Sequence, residues 1–251
     1  MKLKKITIIL LTILTACGQN HSSESQADEK SEVLNKSDKE IKETVFQLID
    51  SDINLPEVKG NIVDQQSWID KIGTWHCVLT ELIDVPNEFA EFRLYKFKQD
   101  QQGRPLEQQM YIDSTSCGEA DIVAESDTKK LIITDIDSNN KAEVTFAYTL
   151  SCTYDVSPQR RILIVNIDSS IHKLIGYTLD YGPVIPDTND LNLKNYEKDE
   201  DGYWYPPITA GRYESEDDFS QLSDDFLTHA KNTWLDILKV ESVVKQKEMN
   251  K

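Results

Sequence analysis

The chain has 251 residues, of which 44 are aspartate or glutamate and 27 are lysine or arginine, and its formal net charge at pH 7 is −17. Such an acidic protein repels nucleic-acid phosphates, so we exclude nucleic acid as a partner. The length suffices for one domain with a sizeable core.

The N-terminal segment has the pattern of a bacterial secretion signal. Three lysines, at positions 2, 4 and 5, precede an apolar run at 6–14 that is too short to span a bilayer. The run ends in Leu14-Thr15-Ala16-Cys17, which resembles a lipobox, the site where a cysteine thiol is acylated and the preceding peptide bond is cut. The pattern predicts a signal peptide at residues 1–16 and a membrane anchor through lipid on Cys17. A secretory signal with a chance cysteine is the alternative.

The residues after Cys17 predict where the protein resides and where its fold begins. Gly18 stands where an aspartate would favour retention in the inner membrane of diderm bacteria, so the resemblance to sorting rules favours the outer membrane of the cell envelope. The segment 17–36 is polar and predicts a disordered tether carrying the lipidated cysteine. We therefore expect a single folded domain at 37–251.

The folded part is predicted to start with a helix and continue with strands. Ser37-Asp38-Lys39-Glu40 has the form of a capping box, and apolar residues follow at helical spacing, which predicts a helix near 38–50. Strand-like runs then occupy 75–82, 92–97, 131–134, 144–150 and 162–167. Turn signals at 100–105, 138–140, 156–158 and 168–170 separate several of them, which predicts antiparallel hairpins.

The chain is predicted to end in a second helix. Apolar residues recur on one helical face, and Asp224 and Asp225 lie where a helix dipole favours anions. The apolar positions are Phe226, Ala230, Trp234, Ile237 and Leu238. The fold class is therefore α+β, with a mainly antiparallel β core and N-terminal and C-terminal helices.

Three cysteines remain besides Cys17. An oxidising compartment favours pairing two of them, and we expect a disulfide between Cys117, in a turn-like segment, and Cys152, at the end of a strand-like run. Cys77 would then be a buried free thiol. The alternative is three buried thiols.

One loop carries the spacing of a calcium site. Between Asp135 and Glu143, oxygen-bearing side chains stand at loop positions one, three, five and nine, and a backbone carbonyl is available at position seven. The predicted ligands are Asp135, Asp137, Asn139, the Lys141 carbonyl and Glu143. Asn140 replaces the usual glycine and tolerates a left-handed backbone. The alternative is a polar hairpin turn without a metal.

The context of this loop is not that of an EF-hand. Position twelve is Phe146, and the loop lies between two strand-like runs. In this it is similar to the calcium loops of FG-GAP-like β repeats, although the chain holds one copy.

The segment from about 113 to 177 resembles a family of secreted bacterial proteins described as surface polysaccharide biosynthesis proteins. The resemblance rests on Ile133-Thr134-Asp135-Ile136-Asp137, Ala142-Glu143, Phe146-Ala147-Tyr148, Cys152 and Asp155-Val156-Ser157-Pro158. The family loop usually reads Asp-x-Asp-x-Asp-Gly, so Asn139 and Asn140 depart from it. The resemblance implies a role with lipopolysaccharide or capsule, and no reaction or catalytic residue.

Three functions follow as hypotheses. The first is a non-enzymatic binding or assembly factor whose partner is an envelope polysaccharide or an envelope protein, with Ca²⁺ as its cofactor. The second is a glycan-processing enzyme that uses paired carboxylates, for which Asp113, Glu119 and Asp121 are candidates. The third is a purely structural interaction lipoprotein. The aromatic segment 203–207 is a further candidate for stacking on sugars.

Overall fold

The computed structural model describes residues 45–50, 54–154, 158–179, 184–204 and 206–250. The predicted signal peptide, Cys17, the tether and the capping box at 37–40 lie outside the described residues.

Five antiparallel strands in chain order form the first sheet, and burial alternates along most of its edge strand Pro105–Ser116. Its turn at 100–104 is held by the Asp100 carboxylate, which accepts the backbone N–H groups of Gln102 and Arg104 at 2.9 and 2.8 Å. Gly103 supplies the positive φ of 77° there. The strands are β1 (Gln47–Ile49), β2 (Asn61–Asp70), β3 (Gly73–Asp84), β4 (Phe89–Gln99) and β5 (Pro105–Ser116).

The second sheet is also antiparallel and contains the runs predicted at 131–134, 144–150 and 162–167. Its order is β10-β9-β8-β6, and β7 pairs with the other end of the long strand β8. The strands are β6 (Asp121–Ser126), β7 (Ile132–Thr134), β8 (Glu143–Thr153), β9 (Arg160–Ile167) and β10 (Ser170–Tyr177).

The two sheets pack face to face, and a helix covers the far side of the second sheet. Phe146 and Tyr148 of β8 point into the core between the sheets, where the Tyr148 ring lies 4.7 Å from that of Phe92. The alternate residue Ala147 points to the opposite face and contacts the helical layer. Strand β8 is buried on both faces because it lies in the middle layer.

The covering helix is α2 (Asp224–Met249), preceded by the short helix α1 (Pro206–Thr209) and by single 3-10 turns at Val85–Asn87, Thr188–Asp190, Leu193–Asn195 and Asp217–Phe219. The indole of Trp234 is fully buried and donates to the Gly211 carbonyl at 2.9 Å. All five apolar positions predicted for this helix are buried against the second sheet. The α+β class with a mainly antiparallel β core is confirmed.

The prediction of a helix near 38–50 is wrong for residues 45–50, the part of that segment that the structure describes. Residues 47–49 form strand β1, which pairs antiparallel with Ser67–Ile69 at the edge of the first sheet. The open edge of β2 offers backbone donors and acceptors, and pairing with them outweighs the helical spacing of a few apolar residues.

A disulfide joins the two sheets. Cys117 follows β5 and Cys152 lies in β8, and the pair has a Cα–Cα distance of 5.2 Å. Cys77 is a free, buried thiol, and burial raises its pKa to about 12. The expected pairing therefore agrees with the structure.

Candidate functional site

Three connections meet at one end of the sandwich. They are the β2–β3 turn, the loop from Asp135 to Glu143, which we call the acidic loop, and the β9–β10 turn at Asp168 and Ser169. The Lys71 N–H donates to the Asn140 carbonyl at 2.9 Å, and the Lys141 ammonium lies 3.1 Å from the Asp168 carboxylate. The three connections thus form one continuous rim.

The acidic loop brings three carboxylates together. Ligand oxygens of Asp135, Asp137 and Glu143 all lie within 4.8 Å of one another, and Glu143 is only 2% exposed. The pKa of Glu143 is raised to about 7, mainly by burial and also by the neighbouring charges of Asp137 and Asp135, against the opposing hydrogen bond from the Ile136 N–H. A divalent cation placed among these oxygens would relieve that repulsion.

The remaining predicted ligands are engaged within the loop. The amide oxygen of Asn139 accepts the Lys141 N–H at 2.8 Å, while its amide nitrogen donates to Asp137 at 2.8 Å. Both oxygens of Asp135 accept backbone N–H groups, from Asn139 at 2.8 Å and Asn140 at 2.9 Å. The structure therefore brings the carboxylates of Asp135, Asp137 and Glu143 together, while the Asn139 side chain lies beside them in hydrogen bonds within the loop.

The predicted left-handed residue is confirmed. Asn140 has a φ of 61°, and Ser138, two residues earlier, has a φ of 56°. Asparagine adopts this conformation at small cost, so the missing glycine does not prevent the tight turn.

A buried aspartate ties the acidic loop to the β2–β3 turn. Asp70 is 3% exposed and accepts five N–H groups. Its donors are the indoles of Trp68 and Trp75 at 3.2 Å each, and the backbone N–H groups of Ile72 at 2.8 Å, Gly73 at 3.1 Å and Ala142 at 3.3 Å. Asp70 fixes the end of the acidic loop against the first sheet.

A pocket of about 250 Å³ opens beside Asp70, and we call it the lysine pocket. Its polar lining comes from both sheets, and Lys141 of the acidic loop forms part of its wall. The other lining residues used below are Asp70, Trp75, Lys96, Gln108, Gln109 and Asp168.

Lys96 gives the pocket its buried charge. Its side chain is 4% exposed, and its ammonium donates to the Asn166 amide oxygen and to the Asp168 carbonyl, both at 3.2 Å. The Trp75 ring centroid lies 5.0 Å away. Burial lowers the pKa of Lys96 below its ordinary value, although nearby acidic groups oppose the shift.

Lys96 and Asp70 are functional candidates that were not predicted from the sequence, although the strand pattern carries a signal for both. Strand alternation places Lys96 on the same face as Phe92 and Leu94, which both lie in the core between the sheets. In the same way it places Asp70 on the face of Trp68. A charged residue at an inward position of a strand marks a candidate site.

The carboxylates proposed for an enzyme do not gather at this pocket. Asp113 accepts the Tyr148 hydroxyl at 2.7 Å, and Glu119 and Asp121 are exposed. None of the three lines the lysine pocket.

The aromatic segment lies at a separate pocket of about 350 Å³. Tyr203 is 71% exposed there, while Trp204 donates its indole N–H to the Tyr196 carbonyl at 3.3 Å. The Lys198 ammonium lies 4.0 Å from the Trp204 ring centroid. The side chains of residues 205–207 lie outside the described residues.

Within the described ranges, no helix combines the length and the apolar character needed to cross a bilayer. Comparison of the chain with family models, with curated proteins and with solved structures gave no match. The resemblance to surface polysaccharide biosynthesis proteins therefore stays a prediction.

Proposed function

We propose that this protein is a lipid-anchored protein of the bacterial cell envelope whose β-rich domain binds a glycan in the lysine pocket, as a binding or assembly factor for surface polysaccharide. The lipobox ending at Cys17 and the resemblance of residues 113–177 support the location and the process. The lysine pocket is the observation that carries the binding function.

The pocket has the size and chemistry of a site for a single sugar ring. Sites for drug-sized ligands measure about 300–1,000 Å³, and this pocket is slightly smaller. Gln108 and Gln109 contribute amide groups, Asp168 a carboxylate and Lys96 an ammonium, so donors and acceptors stand side by side as sugar hydroxyls require.

We propose Ca²⁺ as the cofactor of the acidic loop. The carboxylates of Asp135, Asp137 and Glu143 fit a hard cation that prefers oxygen ligands. Bound there, the ion would neutralise the loop whose end forms part of the pocket wall through Lys141. The cation would thereby stabilise the pocket rather than act on the glycan.

The hydrogen bonds and ion pair of the two carboxylates that line the pocket favour binding over hydrolysis. Glycoside hydrolysis needs two carboxyl groups that flank the scissile bond, one of them as proton donor. Asp70 uses both oxygens to accept N–H groups, and Asp168 pairs with Lys141. These contacts suit positioning better than proton transfer.

Affinity electrophoresis of the full-length protein, through gels cast with purified surface polysaccharides, tests the proposed function. We expect retardation by at least one glycan, and a large reduction of it in Gln108→Ala/Gln109→Ala. Gln101→Ala, in the exposed β4–β5 turn, is the matched control. Equal migration of all variants in every gel would refute the pocket as a glycan site.

The anchor is tested separately. Cells fed a labelled fatty acid should incorporate label into the wild-type protein and not into Cys17→Ser. Label retained by Cys17→Ser would contradict the lipoprotein hypothesis and leave glycan binding by the domain intact.

A further inference from the structure

Lys96 differs from an ordinary buried lysine in what surrounds its charge. Both of its hydrogen-bond acceptors, the Asn166 amide oxygen and the Asp168 carbonyl, are neutral. Among the described residues, no carboxylate oxygen lies within 4 Å of its nitrogen to form an ion pair. The ammonium is therefore removed from water without a directly paired carboxylate, and the charges of Asp168, Asp70 and Glu143 act on it only from a longer distance.

A buried charge without a counter-ion is costly, and the lowered pKa of Lys96 reflects that cost. An ammonium has three N–H groups, and the two neutral acceptors use two of them. The ammonium also faces the rings of Trp75 and Trp68, whose centroids lie 5.0 and 5.9 Å away. Because Lys96 lines the lysine pocket, a ligand there can accept the third N–H group. An anionic ligand would complete the hydrogen bonds and neutralise the charge together.

We propose that the lysine pocket selects an acidic sugar residue, whose carboxylate binds the Lys96 ammonium. The inference rests on the proposed glycan-binding function and specifies the class of glycan. The amides of Gln108 and Gln109 would take the hydroxyl groups of the same ring.

The charges around the lysine pocket are compatible with an anionic ligand, although the whole chain is acidic. Lys98 lies 5.4 Å from the centroid of the Trp75 ring, which lines the pocket. Lys141 in the pocket wall pairs with the Asp168 carboxylate and so offsets the negative charge of that lining residue. The carboxylate of Asp70 accepts five N–H groups, whose positive ends partly offset its negative charge.

The contribution of the ligand's carboxylate to binding is tested with a matched pair of ligands. We would measure binding of trigalacturonate and of its methyl ester to the full-length wild-type protein by isothermal titration calorimetry. A charge-assisted hydrogen bond in a buried site predicts that the acid binds about tenfold tighter or more. Free galacturonic acid, titrated in parallel, shows whether one ring suffices or a polymer is required.

The role of Lys96 is tested by substitution. Lys96→Met should reduce the affinity for the acid to that for the ester and leave the ester unaffected. Lys173→Met is the control, because this lysine also lies over an aromatic ring, 5.0 Å from the Tyr111 centroid, and does not line the pocket. If Lys96→Met fails to fold, Lys96→Gln, which keeps a donor for Asn166, replaces it.

The outcomes separate the two proposals. A preference for the acid that disappears with Lys96 supports the inference. Equal affinity for acid and ester overturns it and leaves glycan binding standing. A preference that survives in Lys96→Met overturns the assignment to Lys96. Failure of both ligands, together with no retardation by any polysaccharide, overturns the proposed function as well.

Discussion

Among the described residues, the buried strand cations Arg161 and Lys96 differ in how the fold compensates their charge. Arg161 of β9 is 2% exposed and forms ion pairs at 2.9 Å with Asp127 and with Glu241 of α2. Lys96 of β4 is 4% exposed and contacts only neutral acceptors. The first cation is internally neutralised, whereas the second is left for a ligand.

The direction of each pKa shift follows from this difference. Burial alone would lower the pKa of Arg161, but Asp127 and Glu241 more than compensate and raise it. Burial lowers the pKa of Lys96, and the opposing interactions with Cys77, Asp168, Asp70 and Glu143 do not offset it. A charge that the fold neutralises is structural, and one that it leaves exposed to a pocket is a candidate for binding.

The largest expected effect is on Arg161. Arg161→Met leaves two carboxylates without their partner in a mostly buried place, and breaking a buried ion pair in this way lowers the free energy of unfolding by about 3–5 kcal/mol. Urea unfolding measures the loss. Arg160→Met, one residue earlier and exposed, should change stability by less than about 0.5 kcal/mol. A similar small loss for both variants would show that Arg161 does not hold α2 on the sheet.

The next largest effect is the stabilisation of the acidic loop, which lies beside Lys96 and carries negative charge, by a bound cation. Ca²⁺ at 100 times its dissociation constant should raise the free energy of unfolding by about 2.7 kcal/mol, and a chelator should reverse the gain. Asp137→Asn should abolish the response, while Asp201→Asn, in an exposed turn, should keep it. Thermal unfolding measures the shift, and identical midpoints with Ca²⁺ and chelator would leave the acidic loop a polar turn.

A smaller effect is expected when the charge of Lys96 is removed. Lys96→Met relieves the desolvation of an ammonium but leaves the Asn166 oxygen without that donor, so the free energy of unfolding should change by less than about 1 kcal/mol. The comparison with Arg161→Met is the test, because both replace a buried cation by methionine. A loss as large as that of Arg161→Met would show that Lys96 is structural.

The smallest effect is a dependence on pH. Because the folded state lowers the pKa of Lys96 from its ordinary 10.5, the unfolded chain holds that proton more tightly. Stability therefore rises with pH between the folded and unfolded pKa values. The wild type should gain free energy of unfolding relative to Lys96→Met as pH increases towards 10.5. Urea unfolding at pH 7 and pH 10 measures the difference, and a relative loss would contradict the lowered pKa.

Local patterns in the sequence were sufficient where periodicity and burial agree. The alternation of residues 144–150 predicted β8, and the spacing from Phe226 to Leu238 predicted the buried face of α2. The left-handed conformation of Asn140 followed from the chemistry of its side chain. Each of these is a local preference that the packing of the fold supports.

The tertiary structure decided the rest, because it depends on segments that are distant in the chain. Residues 47–49 form a strand because the edge of β2 is available to them. Asp70 and Lys96 meet the acidic loop only when the two sheets pack, which brings Asn166 and Asp168 to the lysine. The amino-acid sequence by itself predicted the C-terminal helix, five of the strands and the acidic loop. Whether a buried charge is neutralised or left for a ligand was decided by long-range packing, since the partner of each charge comes from another strand or helix.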